Sequence, residues 1–281
     1  IRLAPGGPFD TEREFPQDVQ RQLNEYYGQN LPLYQQYWNY LSSAVHGDLG
    51  RSLTQPRFTV TEWIALRFRV SLELGLYALA LALAIGLSAG MLAALKPNTF
   101  WDYAPMSLAM VGICLPTFVL GPILVWLFPI QLGMLSEAGW RYPSDKVLPS
   151  ITLGVAFAAY IARLSRGGLL EVLSQDFIRT ARAKGLGETR ILLRHALRGG
   201  LQPVVTYLGP AAAGLLTGSF VVETIFNLPG LGREFIKAAL DRDYTMIMGT
   251  VLFFAMLILV FNLVVDIVVA WLDPRLRHSL Q

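Results

Sequence analysis

Four stretches of this chain contain no Asp, Glu, Lys or Arg: those between Glu73 and Lys96, Asp102 and Glu137, Arg198 and Glu223, and Asp243 and Asp266. A helix crossing the ~30 Å hydrocarbon core of a bilayer needs about 20 predominantly apolar residues, and each stretch supplies them. A fifth run, Val147 to Ala162, is shorter and ends at Arg163. With Pro149 near its start, it still spans if the Arg163 side chain snorkels to the interface. The chain is 53% apolar and only 15% charged, against about 25% charged in an ordinary soluble domain. Lipid is therefore part of the solvent for which it is built. The runs are apolar all round, which excludes the alternating strands of a membrane barrel. The predicted fold class is all-α, a polytopic transmembrane helical bundle with spans at 70–95, 104–130, 147–165, 201–224 and 246–271.

Charge balance orients the bundle, because Lys and Arg are retained on the cytoplasmic side. From Arg166 to Arg198 there are seven basic residues against Glu171, Asp176 and Glu188, a net charge of +4. The loop from Gln131 to Lys146 has two of each sign, and Glu223 to Tyr244 has three basic and four acidic residues. The loop 166–200 is thus expected inside, and 131–146 and 225–245 outside, with residues 1–69 an external helical segment and 70–281 the transmembrane domain. In the external segment, Pro16 fits the first turn of a helix running to about Tyr27. A second helix is expected from Leu33 to Val45, broken by Gly47 and Gly50. Tyr26, Tyr27, Tyr34, Tyr37, Trp38 and Tyr40 suit either a belt at headgroup level or packing onto the helix ends.

The basic loop reads as two short helices. Leu169 to Lys184 holds good helix formers without Gly or Pro, Gly185 and Gly187 stop it, and Glu188 to Leu197 is helical again. Such a hairpin has a shape that fits a groove in another protein. Phe177, Ile178, Ala181 and Leu186 offer an apolar anchor, and Arg179, Arg182 and Lys184 a charged rim. Pattern alone leaves open whether these cations dock a partner or only enforce topology and touch headgroups.

The run Asp176-Phe-Ile-Arg-Thr-Ala-Arg-Ala-Lys-Gly-Leu186, followed by Ile191-Leu-Leu-Arg-His-Ala-Leu197, resembles the coupling loop of ABC importer permeases, in the form found in the dipeptide and oligopeptide permease family. Arg179, Thr180 and Ala181 stand at that loop's Glu-Ala-Ala triplet, and Gly185 is its glycine. Arg198 fills the place of the usual proline, so the second helix is expected to run on to about Gly199. Arg2–Phe9, His46–Gly50, Ala94–Tyr103, Glu223–Gly232, Asp241–Tyr244 and Asp273-Pro274 resemble further blocks of the family. The match is most like the first permease subunit of an oligopeptide importer. The family has six spans, and the first is expected to lie outside this sequence.

The resemblance implies a bacterial inner (plasma) membrane protein that forms half of a peptide pathway. It implies a second homologous permease subunit, two ATP-binding subunits, an external substrate-binding protein and no nucleic acid. ATP and Mg would be bound by the ATPase subunits, consistent with the lack of a phosphate-binding G-x-x-x-x-G-K-[ST] loop here. Asp176, Phe177, Arg179, Thr180, Ala181, Arg182, Lys184 and Gly185 are then the coupling residues. Ala181 and Gly185 would allow close approach, while Arg179, Arg182 and Lys184 would meet acidic groups on the ATPase.

Ionisable residues near spans are functional candidates. Glu73, Glu223 and Asp266 qualify, with an interfacial location as the alternative for the first two and pairing with a loop cation for the third. Gly86 and Gly90, and Gly214 and Gly218, form G-x-x-x-G faces. Pro116, Pro122 and Pro210 are candidate kinks. Cys114 is the sole cysteine, and His46, His195 and His278 fall on different sides, so neither a disulfide nor a metal site is expected. A membrane enzyme would need clustered His or carboxylates on one face. A channel or secondary transporter would need midplane charges or inverted repeats. Within the importer class, dipeptides, glutathione and nickel complexes are the rival cargoes.

Overall fold

The structure, a computed structural model, describes residues 30–55, 57–216 and 218–272, with side chains through Val268. The expected helix from Pro16 to Tyr27, the blocks at 2–9 and 273–274, and His278 lie outside the described residues. The described residues form helices joined by turns, and their one β-type pairing is an isolated bridge between Arg51 and Thr59.

Helix α1, Leu33–Val45, lies where the sequence predicts it and contains no buried residue. Tyr34, Tyr37 and Trp38 are mostly exposed, so those three rings do not pack onto this chain's helix ends. Helix α2, Val60–Leu95, begins ten residues before the expected span. The cause is local. Thr59 Oγ1 accepts from Glu62 N at 3.2 Å and Glu62 Oε2 accepts from Thr59 N at 3.1 Å, a reciprocal cap that starts a helix wherever the membrane begins. Its 36 residues reach about 54 Å, so its first turns project beyond the hydrocarbon. Residue 69, the expected domain boundary, falls inside this helix.

The expected second span is two helices. Helix α3, Phe100–Cys114, and helix α4, Thr117–Val125, which continues as a π-helix through Trp126–Gln131, meet at a bend of 106°. Pro116 disfavours the helical region for the residue before it, and Leu115 is extended, with φ −83° and ψ 113°. Helix α5, Pro143–Leu173, outruns the expected 147–165 at both ends. It opens on Pro143, with Asp145 Oδ2 accepting from Arg141 N and Tyr142 N at 2.9 and 2.8 Å.

The helix expected over 169–184 is interrupted. Gln175 is extended (ψ 156°), and helix α6, Asp176–Ala183, sets off in a new direction. Helix α7, Glu188–Ile191, passes through a π turn at Leu192–Ala196 into α8, Leu197–Gly200. The run is helical past Arg198, as expected without the proline. Helix α9, Gln202–Leu216, is followed by a break in which Gly218 has φ +86°, then by α10, Phe220–Ile225. Gly218 therefore belongs to a turn and not, as the spacing predicted, to a packing face with Gly214. Helices α11, Leu231–Leu240, and α12, Tyr244–Leu272, complete the described residues.

Helices α2 and α5 run parallel at the centre. Glu73 meets Lys146, the Gly154 position lies against Ala78, Gly86 against Ala158 and Ile161, and Gly90 against Ala162 and Ser165. A Cβ on Gly86 would stand 2.6 Å from Ala158 O, and one on Gly90 would stand 1.8 Å from Ser165 Oγ. The Gly86/Gly90 face thus brings backbones together as a small-residue stripe does in membranes. Among the described residues four helical runs are long and apolar enough to cross a bilayer, namely α2, α5, α12 and the run Gln202–Ile225 that joins α9 and α10, and α3 with α4 taken as one broken span makes five. That pair does cross: Asp102 at its start binds Arg166 near one end of α5, whereas residues 139–146 lie at the other. The segment before α2 packs with Leu231, Ala238 and Met246 at one end, and the 174–200 loop gathers at the opposite end. Charge balance groups these segments in the same way.

The α2–α5 contact predicts opposite outcomes for two neighbouring glycines. Gly90→Leu forces the pair apart and lowers stability by roughly 1–3 kcal/mol. Gly167→Ala, where a Cβ meets nothing within 4 Å, is neutral or stabilising by up to ~1 kcal/mol through helix propensity. Thermal unfolding of the two variants in detergent checks both.

Candidate coupling loop and buried polar clusters

Helix α6 is amphipathic and its apolar face is already occupied. Ile178 and Ala181 are 0% and 7% exposed. They pack with Leu169 and Leu173 of α5, Ala94 of α2, and Ile191, Leu192 and Ala196. Leu186 joins the same cluster. Of the four residues expected to anchor a partner, Ile178, Ala181 and Leu186 instead seat the loop on its own chain. Only Phe177 stays largely outside, 47% exposed. Ala181 therefore faces inward and offers no surface for close approach. This seating also explains the break at Gln175, because burying Ile178 and Ala181 requires α6 to turn off the line of α5, a tertiary gain that overrides local propensity.

The turn after α6 is closed by backbone geometry. Gly185 has φ +78°. Leu186 N donates to Ala181 O at 3.3 Å and Gly185 N to Arg182 O at 2.9 Å, the paired bonds of a Schellman cap, which requires the left-handed conformation. Across this turn Arg182 Nε and Nη2 donate to Glu188 Oε1 and Oε2 at 2.6 and 3.1 Å. The guanidinium holds the Glu188 carboxyl below its usual pKa. Arg179 Nη1 lies 3.3 Å from Asp176 Oδ1 in a highly exposed pair. Lys184 and Thr180 are exposed. Asp176, Phe177, Arg179, Thr180 and Lys184 thus share an outward surface, while Arg182 is engaged with Glu188.

At the other end Glu223 is fully buried. Its Oε1 accepts from Ser71 Oγ at 2.7 Å and its Oε2 from Arg233 N at 2.7 Å, and Leu231 N donates to Ser71 Oγ at 2.8 Å. Gly230, the residue before α11, has no side chain with which to cap it, so Glu223 supplies the anion at that helix start. Glycines make the room, since a Cβ at Gly218 or Gly230 would come within 2.5 or 2.4 Å of the carboxyl group. Glu223 ties α2, α10 and α11 together and has no exposed surface in this conformation. Glu73 is different. It is partly exposed, pairs with Lys146 and accepts from Trp140 Nε1 at 2.9 Å. Lys146 Nζ also lies 5.3 and 5.6 Å from the Trp140 and Tyr77 rings. Asp266 is exposed on α12 and makes no ion pair among the described residues. The loop cation expected to meet it is absent because the loop packs against α2 and α5.

Two clusters escaped the sequence reading. Asp102, 1% exposed, accepts from Arg166 Nε and Nη2 at 2.6 and 2.7 Å and from Asn98 N at 2.9 Å. It closes the turn between α2 and α3 onto α5. Asp243, also 1% exposed, accepts from Ser52 Oγ, from Thr54 Oγ1 at 3.1 Å and from Met246 N at 3.0 Å. No group of His, Cys, Asp and Glu among the described residues could hold a metal ion.

Residues 86–278 match the family described as binding-protein-dependent transport system inner membrane component. The chain belongs to that family. The oligopeptide transport system permease protein OppB of Haemophilus influenzae is 46% identical over 99% of this chain and 92% of its own length. The dipeptide transport system permease protein DppB of Bacillus subtilis is 43% identical over 99% and 90%. The glutathione transport system permease protein GsiC of Escherichia coli is 40% identical over 99% and 92%. An inward-facing structure of the methionine ABC transporter MetNI overlays 75% of this chain and 96% of that one, with TM-score 0.61 and 18% identity. The fold is that of an ABC importer permease, and this family member is embedded in a membrane. Its relatives are permease proteins of transport systems and not enzymes.

For this permease the Gly185 turn makes the loop's shape sensitive to a single methyl group. Gly185→Ala places a side chain at φ +78° and costs about 1–2 kcal/mol locally. Gly187→Ser, at an ordinary helix N-cap, costs less than about 0.5 kcal/mol. Protease sensitivity of the loop rises in the first variant and not in the second.

Proposed function

We propose that this chain is one of two permease subunits of an ATP-driven importer that carries peptides delivered by an external binding protein. The observation that carries this reading is 46% identity, sustained over 99% of the chain, to a permease named for oligopeptide transport. The loop supplies the means. Its exposed face, with Asp176, Phe177, Arg179, Thr180 and Lys184, is free to dock on an ATPase subunit, and its buried face rests on α2 and α5. A push on α6 then reaches both helices through packed side chains, and the spans rock as a two-state element biased by a distant ligand. ATP and Mg act on the ATPase subunits. Arg182 is held by both nitrogens to Glu188, whereas Arg179 makes one longer contact to Asp176 in a far more exposed pair, so the docking cations in this reading are Lys184 and Arg179, with Phe177 as the apolar contact.

Reconstitution tests the reading. Proteoliposomes holding both permease subunits and both ATPases, given the binding protein, accumulate tagged oligopeptides only when ATP is present. Dipeptides and glutathione, run as separate arms, compete weakly. Absence of ATP-dependent peptide uptake overturns the reading, and preferential uptake of dipeptide or glutathione replaces its cargo while keeping its mechanism.

A further inference from the structure

Apart from Lys184, which lies on the outward face of α6, the cations of the 166–198 loop fall into two groups of three. Arg166, Arg179 and Arg182 have carboxylate partners within the chain: Asp102, Asp176 and Glu188. Arg190, Arg194 and Arg198 have none among the described residues, and all three are exposed. They recur every fourth residue on the continuous helical run α7–π–α8. An α-helix carries residues four apart roughly 40° round its axis. The wider π turn at Leu192–Ala196 rotates less per residue and offsets that drift. The three arginines therefore share one face. Exposed Leu193 and half-buried Leu197 lie beside them, while Ile191, Leu192 and Ala196 point the other way into the chain.

The depth of this face follows from what lies behind it. Ile191, Leu192 and Ala196 pack on Ala94, Leu169 and Leu173, the last turns of α2 and α5. A Cβ on Gly168 would stand 2.2 Å from Gly200 O, so α8 touches α5 directly. The membrane boundary at this end is marked by exposed Trp101 and Tyr103 and by Lys96, whose Nζ lies 5.5 Å from the Trp101 ring. Aromatic rings and snorkelling lysines sit at headgroup level. The arginine stripe starts beside the last turns of α2 and α5 and runs back to span α9, which starts at Gln202.

We propose that Arg190, Arg194 and Arg198 form a binding face for anionic phospholipid headgroups of the inner leaflet, with Leu193 reaching the acyl boundary. The stripe is separate from the outward face of α6 that the proposed function assigns to the ATPase, and it needs only membership of this membrane family, not peptide as the cargo. Guanidinium groups bind phosphate through paired N–H donors, and a basic apolar-backed helix at the end of a span is the form such sites take. The contact would hold the base of the coupling loop at a fixed depth while α6 is pushed.

The test uses the full complex in nanodiscs of phosphatidylcholine, with and without phosphatidylglycerol. Retained lipid is read by native mass spectrometry, and ATPase subunits by gel. The wild type prefers phosphatidylglycerol by ~10-fold or more, and added salt reduces that preference. The triple variant Arg190→Gln, Arg194→Gln, Arg198→Gln loses the preference and keeps its ATPase subunits. The triple lysine variant keeps part of the preference, which separates charge from misfolding. A wild-type complex indifferent to phosphatidylglycerol overturns the proposal. A glutamine variant that keeps the lipid preference but sheds the ATPase also overturns it, and assigns the stripe to the ATPase.

Discussion

Everything else in this permease is hung on the parallel contact of α2 with α5. Gly86 and Gly90 on one helix and Gly154 on the other remove the side chains that would hold the backbones apart. Without a hydrophobic drive between helices in lipid, such close packing is a main source of association. The same register then positions both ends. At one end it brings Glu73 to Lys146. At the other it places Ala94 beside Leu169 and Leu173, which is the seat that Ile178 and Ala181 of the coupling loop occupy.

A chain with so few charges uses them where backbone groups lack partners. Asp102 accepts from the turn before α3, Asp145 from the start of α5, Glu223 from the start of α11 and Asp243 from the start of α12. In an apolar medium an unsatisfied N–H is costly, and a carboxylate at a helix start also meets the favourable end of the helix dipole. Three of these four carboxylates serve a second purpose by joining elements distant in sequence: Asp102 to Arg166, Glu223 to Ser71, Asp243 to Ser52 and Thr54. The interhelical turns are thus tied to the frame and do not trail from it.

The charge-free runs made the spans legible, and the loop charges made the grouping of loops at two opposite ends legible, because both are properties of composition along one line. Gly185 was equally readable, since a single residue type answers a single backbone need. What escaped were pairings across long separations. Nothing near Asp102 announces Arg166, and nothing near Ser71 announces Glu223. Pro116 marked a kink, but the 106° bend depends on where α4 finds its packing against Thr152 and Ile225 through Gly121. The break at Gln175 left no local trace either, because it is made by the burial of Ile178 and Ala181. The candidate coupling residues were found in the right place, yet their division into a seated face and an outward face needed three dimensions.

Coupling through α6 requires the loop to be seated rigidly enough to move with α2 and α5. Spin labels at Thr180→Cys on α6 and Ser88→Cys on α2, in a Cys114→Ala background and in the assembled complex, measure this directly. With a rigidly seated loop the Thr180–Ser88 distance is the same with and without ATP, while the distance from Thr180 to a label on the second permease subunit changes. A nucleotide-dependent change within the chain, with the distance between subunits fixed, would mean that α6 hinges freely, and would contradict coupling through α6.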